Sequence, residues 1–230
     1  MIVDVRLGDT QAVKMYRGED AVWEKQGGEL PAGYTQLRYI ESDVASNKYM
    51  IDTGLRVKND TVMMANYYNV QPAMCTVIGV NDTVNRYSPG IYYGLSHYMA
   101  FGYRYGYAGD RGYASIDTSI EPPNICTIDI LNKTMNVDGA VSKSEAEFLE
   151  STNNIILFAK YYGGNYMSAK LRIYGAKIYE NDVLVWDAVP CLDSELIPCV
   201  YDRTGKKTVY NKYSGKFGYE TMDGTYVAPI

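Results

Sequence analysis

From residue 157 to residue 217 the chain is one series of short apolar runs separated by turn residues. It reads Leu-Phe-Ala-Lys-Tyr-Tyr-Gly-Gly-Asn at its start and Val-Tyr-Asn-Lys-Tyr-Ser-Gly-Lys-Phe at its end. No stretch of it carries apolar residues at the i, i+3, i+4 spacing of an amphipathic helix. Runs of four to eight β-branched and aromatic residues bounded by Gly, Asn, Asp and Pro are strand signals. This third of the chain therefore restricts the fold to antiparallel β architecture, used for binding or building, and offers no obvious place for catalysis.

Composition agrees with that restriction. Tyrosine accounts for 24 of the 230 residues, against 4 Phe and 2 Trp. A tyrosine ring packs well on a pleated sheet, while its hydroxyl needs a partner or water, so such an excess suits strands with amphipathic faces. Those faces serve subunit interfaces or sugar binding. The length fits one large all-β domain or two small ones with a real core. A net charge of −5 excludes a basic nucleic-acid surface and argues against anionic lipid. The opening Met-Ile-Val-Asp-Val-Arg-Leu-Gly-Asp has neither the basic region nor the apolar core of a secretory signal. No apolar run is long enough for a membrane span, so no membrane insertion is expected.

Cys75, Cys126, Cys191 and Cys199 form no C-x-x-C pair, and His97 is the single histidine. A Cys/His zinc site is not expected, and no metal or other cofactor is assigned. Free, buried thiols are the expectation, with a Cys191–Cys199 bridge across a short loop as the alternative. The glycosylation tripeptides at Asn59, Asn81 and Asn132 are read as chance matches.

Along the chain, residues 1–28 form a small β element and joint, residues 29–218 the large domain, and residues 219–230 a tail, either loose or docked. In the first unit, Tyr16 and Trp23 flank a turn; Tyr179 and Trp186 repeat that spacing around another. Both segments read as hairpins with aromatics supporting one another across the strands. Residues 90–113 read as two or three twisted strands joined by Gly turns. The single helical candidate spans residues 144–149.

Two sets of motifs carry a family resemblance. Tyr34-Thr-Gln-Leu-Arg-Tyr-Ile-Glu-Ser42, followed by Tyr49-Met-Ile-Asp-Thr-Gly54, resembles the opening of laminin-G-like (concanavalin A-like) domains in phage and prophage virion proteins. Leu171-Arg-Ile-Tyr-Gly-Ala-Lys-Ile-Tyr179, Val183-Leu-Val-Trp-Asp187, Val189-Pro-Cys191, Cys199-Val-Tyr-Asp202, Gly205-Lys-Lys-Thr-Val-Tyr-Asn211 and Ser214-Gly-Lys-Phe217 resemble its far end. The resemblance spans residues 34–217, with a divergent middle. The segment from Met15 to Glu24 is similar to a short leader before such domains in tail and baseplate-associated proteins.

The resemblance implies a jelly-roll sandwich of two antiparallel sheets with a small N-terminal hairpin. Within it, Asp52-Thr53-Gly54 ends an early strand in a tight turn. The hairpin at residues 205–210 brings the C-terminal strand beside the early ones. The implied role is non-enzymatic: a fibre (tail or head fibre), baseplate appendage or capsid decoration that displays a lectin-like domain for host attachment. Tyr16 and Trp23 then belong to the element that attaches to other virion proteins. The protein works as a homo-oligomer, a trimer being the expected form, on a virion assembled in the host cytoplasm. A carbohydrate-binding module as the primary role is the alternative, with a glycan hydrolase or lyase behind it.

The candidate ligand-binding residues are Tyr92, Tyr93, Tyr98, Tyr103, Arg104, Tyr105, Tyr107, Asp110 and Arg111. Aromatic faces with a polar rim suit a host surface glycan; the competing reading buries these residues in the core or a subunit interface. No catalytic residue is assigned. His97 has no nucleophile in a recognisable elbow. Asp129, Asp138, Glu145 and Glu147 lack the spacing of a glycosidase acid pair on one strand. Asp52, Asn81, Asp82 and Asp110 could line a calcium site, though Asn and Asp are ordinary turn residues and that reading is preferred.

Overall fold

The alternation read from the sequence is realised as strands. The computed structural model describes residues 15–17, 20–23, 29–43, 48–71, 75–80, 90–93, 98–100, 113–115, 124–137, 139–143, 153–162, 165–168 and 170–230. Every regular element among them is extended. The first strands are β1 (Met15–Arg17), β2 (Asp20–Trp23), β3 (Thr35–Glu41), β4 (Ile51–Arg56), β5 (Thr61–Gln71) and β6 (Cys75–Val80). The tyrosine-rich tract supplies β7 (Gly90–Tyr93), β8 (Tyr98–Ala100) and β9 (Tyr113–Ser115). Then come β10 (Asn124–Asp129), β11 (Thr134–Val137), β12 (Ala140–Lys143), β13 (Asn154–Leu157), β14 (Ala159–Tyr162) and β15 (Asn165–Ser168). The last are β16 (Lys170–Glu180), β17 (Val183–Leu192), β18 (Pro198–Asp202), β19 (Lys207–Val209), β20 (Gly218–Thr221) and β21 (Tyr226–Val227). The helical candidate at residues 144–149 lies outside the described residues.

The strands form an all-β sandwich of two antiparallel sheets. The larger runs β12-β11-β10-β5-β16-β17-β3-β20-β21, with β18 and β19 continuing from β17; the smaller runs β4-β13-β6-β7. The pairs β1-β2, β8-β9 and β14-β15 stand as separate two-stranded ribbons. Between the sheets, Met63, Tyr67, Ile173 and Trp186 of the large sheet meet Ile78, Ile155 and Leu157 of the small one, all fully buried. Each such side chain contributes about 1.5–3 kcal/mol through removal of apolar surface from water.

Local chemistry explains the connections. Asn181 and Asp182 both take positive φ, 47° and 61°, as a two-residue hairpin turn matched to strand twist requires. They join β16 to β17. In this hairpin Ile178 faces Trp186 and Tyr179 faces Leu184, with a one-residue bulge between the pairs. The β1-β2 hairpin has the same register: Met15 faces Trp23, Tyr16 faces Ala21, and a bulge intervenes. The expected cross-strand support of Tyr by Trp is therefore corrected. In the β16-β17 hairpin Trp186 points into the core, whereas Tyr179 lies on the opposite face against Val62 and Met64, because pairing partners share a face and Tyr179 is not Trp186's partner.

Two further expectations change. Asp52-Thr53-Gly54 does not end a strand; it sits inside β4, opposite a register shift in β13. Gly54 takes φ 76°, Asp52 Oδ1 accepts from the Gly54 amide at 3.0 Å, and Thr53 Oγ1 donates to the Ile155 carbonyl at 2.8 Å. The positive φ expected of a turn serves a bulge that bends the strand. Second, the strand of the hairpin at residues 205–210 is not itself the one that returns to the early strands: among the described residues β19 pairs with β18. The C-terminal strand that pairs with β3 is β20, alongside β16 and β17.

Residues 219–230 are docked. Tyr219 faces Ile40 and Glu220 faces Tyr39 across β20 and β3. Lys216 and Ile230 exchange backbone bonds of 2.8 and 3.0 Å, and the Tyr49 hydroxyl donates to the Ile230 carbonyl at 3.1 Å.

Candidate functional site

Of the residues singled out in the sequence, Tyr92 and Tyr93 lie in β7 and Tyr98 in β8. In β7, Tyr92 faces Thr76 and Tyr93 faces Cys75 at one edge of the small sheet. Tyr103, Arg104, Tyr105, Tyr107, Asp110 and Arg111 lie outside the described residues, as do His97, Asn81, Asp82, Asp138, Glu145 and Glu147. Tyr16 and Trp23 sit in the β1-β2 ribbon.

Asp52 holds its own partners. Lys212 Nζ donates to Oδ2 at 2.9 Å, while Asn154 Nδ2 and the Gly54 amide donate to Oδ1. Burial pushes this carboxyl up, but these bonds outweigh it and hold the group below its ordinary value. Asp129 likewise accepts from the Asn132 amide and side chain, capping the turn between β10 and β11.

A cluster of polar and aromatic side chains lies on the outer face of the large sheet. Its placement follows from pairing. Leu171 and Ile173 of β16 point into the core, so Arg172 between them points outward, beside Tyr68 of β5 and Glu41 of β3, its ladder partners. In β3, a register shift against β20 between Leu37 and Tyr39 re-aims the strand. Leu37 and Ile40 face inward, and Tyr39 and Glu41 join the outer face. Glu220 of β20 and Tyr226 of β21 are ladder partners at the rim.

These side chains form one continuous chain of contacts from Tyr226 to Arg38. Glu41 is fully buried; its Oε2 accepts from Arg172 Nε at 2.6 Å and its Oε1 from the Tyr226 hydroxyl at 2.6 Å, with Lys170 Nζ at 3.8 Å. The Arg172 guanidinium lies 4.5 Å above the Tyr39 ring and 5.9 Å from that of Tyr68, a cation–π arrangement strengthened where water is excluded. Tyr39 donates to Glu220 Oε2 and Arg38 to Glu220 Oε1, both at 2.7 Å, and the Tyr174 ring meets Tyr39 edge-on.

Electrostatics follow from this wiring. Burial and then the bond to Glu220 push the Tyr39 phenol well up. Burial and the bond to Glu41 push Tyr226 up to about 12. Burial acts to raise Glu220 too, but the Tyr39 hydroxyl and Arg38 outweigh it and lower the group. Glu41 and Glu220 are thus both tied to a guanidinium and a phenol, and Glu220 is shifted away from the raised pKa that a general acid needs. Tyr226, 44% exposed, and Arg38, whose side chain is 60% exposed, present the cluster to solvent. An aromatic ring beside fixed donors and acceptors is suited to stacking on and hydrogen bonding with a polyhydroxylated ligand.

Sequence reasoning placed Arg38, Tyr39, Glu41, Arg172 and Tyr174 in framework motifs and Glu220 and Tyr226 in the C-terminal tail. Their hydrogen bonds span separations of 131 to 185 positions and exist only once β3, β16, β20 and β21 are paired. The one local signal was the polar-apolar alternation in Lys170-Leu171-Arg172-Ile173-Tyr174, which assigns Arg172 and Tyr174 to the face opposite the core.

Comparison of the chain with protein-family models, curated proteins and solved structures returned no match.

Proposed function

We propose that this chain is a non-enzymatic phage virion protein, a fibre, baseplate appendage or capsid decoration, whose sandwich is displayed for adhesion to the host surface. The observation that carries the adhesive part is the Tyr226-Glu41-Arg172-Tyr39-Glu220-Arg38 series of contacts on the outer sheet face. It sets an exposed ring and an exposed guanidinium on a rigid platform and leaves its carboxylates engaged. The virion part rests on the resemblance of residues 34–54 and 171–217 to phage laminin-G-like domains. The two parts are tested separately.

In this reading the β1-β2 ribbon joins the protein to a neighbouring virion component. Assembly as a homo-oligomer, a trimer in the first instance, turns weak single-site contacts into firm attachment through effective concentration. Peptide mass spectrometry on gradient-purified particles tests the virion assignment: the chain should co-purify in stoichiometric amount, and its absence from intact particles rules the assignment out.

The second reading makes glycan recognition the primary role, and the same cluster favours it. Host-surface polysaccharide immobilised on a sensor should bind the intact protein, and Tyr226→Ala together with Arg38→Ala should weaken binding at least several-fold. Undiminished binding by that double variant would move the site elsewhere, the tyrosine-rich tract at residues 91–113 being next. Release of new reducing ends from the polysaccharide would overturn the non-enzymatic reading.

A further inference from the structure

Cys191 and Cys199 are ladder partners across β17 and β18, and their sulfurs lie 3.5 Å apart. We propose that they form a reversible dithiol–disulfide pair, closed by a peroxide-class oxidant and reopened by a thiol reductant.

The case is geometric. Opposed residues in an antiparallel ladder have Cα atoms about 4.5 or 5.5 Å apart, and both values fall within the range that a disulfide spans without backbone movement. Closing the bond therefore asks only for side-chain rotation. The surrounding chain holds the pair in place. Asp193, directly after β17, accepts from the Glu195 and Ile197 amides at 2.9 Å each and from the Tyr210 hydroxyl at 2.8 Å, which fixes the turn between the two strands.

Both thiols are fully buried, packed with Tyr201 and covered by Leu30 and Tyr34. The Tyr34 ring stands edge-on to Tyr201 at 5.9 Å, and its hydroxyl bonds Thr208 at 2.7 Å. The Cys199 thiol is pushed up, first by its bond to Cys191 and then by burial, so it stays protonated beneath this cover. Reaction accordingly proceeds through local opening of the segment before β3, and a small oxidant is favoured over a bulky disulfide.

The step balances. One thiol is oxidised by hydrogen peroxide to a sulfenic acid with release of water. The second thiol then displaces the sulfenic hydroxyl as a second water, forming the S–S bond. Two electrons pass from the sulfurs to the peroxide bond, and both thiol protons leave in the waters.

The test is peroxide treatment of the folded full chain, followed by unfolding, alkylation and non-reducing peptide mapping. The expected product is a single cross-linked peptide joining Cys191 to Cys199 with the loss of two hydrogens. Cys126, buried with its sulfur directed at the Ala65 carbonyl, should remain alkylatable. The thermal midpoint should rise on oxidation, return with dithiothreitol, and not respond to peroxide in Cys199→Ala. Recovery of both cysteines as free thiols, their conversion to sulfinic acid, or a cross-link to another cysteine would each overturn the proposal. The wild-type mapping decides the matter even if the variant does not fold.

Discussion

Tyr226, on the outermost strand of the large sheet, gives its hydroxyl to Glu41, a carboxylate with no exposed surface that simultaneously holds Arg172 at 2.6 Å. One buried charge thus ties together three strands, β3, β16 and β21. Removing one partner of a buried ion pair leaves the other charge desolvated and typically costs about 3–5 kcal/mol. Arg172 is a quarter exposed, which places Arg172→Met at the low end, about 3 kcal/mol. Tyr226→Phe should cost only about 1 kcal/mol. Urea unfolding monitored by tyrosine fluorescence checks the order; equal losses for the two variants would refute the contacts as described.

Glycine substitutions should separate room from conformation. At Gly54 a Cβ would meet nothing closer than Lys207 Nζ at 3.8 Å, so Gly54→Ala pays only for its φ of 76°, about 1 kcal/mol. At Gly218 a Cβ would lie 2.5 Å from Pro229 Cδ and 2.6 Å from its nitrogen. Gly218→Ala must therefore displace the segment around Pro229. The expected result is a larger loss, about 2–3 kcal/mol, with accelerated amide exchange at Ile230 and Lys216.

Asn211 should prove the most sensitive asparagine in the C-terminal half. Its Nδ2 donates to the Lys48 and Gly215 carbonyls at 2.6 Å each, and its Oδ1 accepts from the Met50 amide at 2.9 Å and the Tyr213 amide at 3.3 Å. Asn211→Ala strips partners from backbone on both sides and should cost about 2–3 kcal/mol. Asn211→Asp, which turns a carboxylate oxygen toward both carbonyls, should lose at least as much as Asn211→Ala. Denaturant midpoints for the three proteins decide it.

Acid should destabilise the protein through specific carboxylates. For Asp193, burial acts upward, but the Ile197 amide, the Tyr210 hydroxyl and the Glu195 amide outweigh it and lower the group. Asp52 and Glu220 are lowered as well. A group whose folded pKa lies below its unfolded one contributes stability that is present above the unfolded value and lost as pH falls through the folded value. Stability should therefore decline as pH drops below about 4. Asp193→Asn should be less stable at neutral pH yet show a shallower acid decline, as read from thermal midpoints between neutral and strongly acidic buffer.

The sequence made the β class plain because alternation and turn chemistry are local. Asn181-Asp182 and the run 171–179 could be placed without any knowledge of partners. Gly54 shows the limit: its need for an unusual φ was legible, but turn and bulge make the same demand, and only the pairing with β13 distinguishes them. Which C-terminal run pairs with β3 was not legible for a related reason. Lys207–Val209 and Gly218–Thr221 are both short extended runs, and choosing between them required the register in which Glu220 meets Tyr39. The outer-face cluster was hidden most completely, since Glu41, Arg172 and Tyr226 become neighbours only through long-range pairing.

The position of β3 also bears on how the protein is made. This strand ends at Glu41, yet its ladder partners are β16, β17 and β20, the earliest of which begins at Lys170. Until those residues have been synthesised and have left the exit tunnel, β3 has both edges unpaired, and Glu41 lacks Arg172. Closing loops of that length before any reward is slow and leaves apolar edges open to misassociation. β3 therefore waits with both edges open while the chain between Glu41 and Lys170 is made, and its pairing begins only after β16 has emerged.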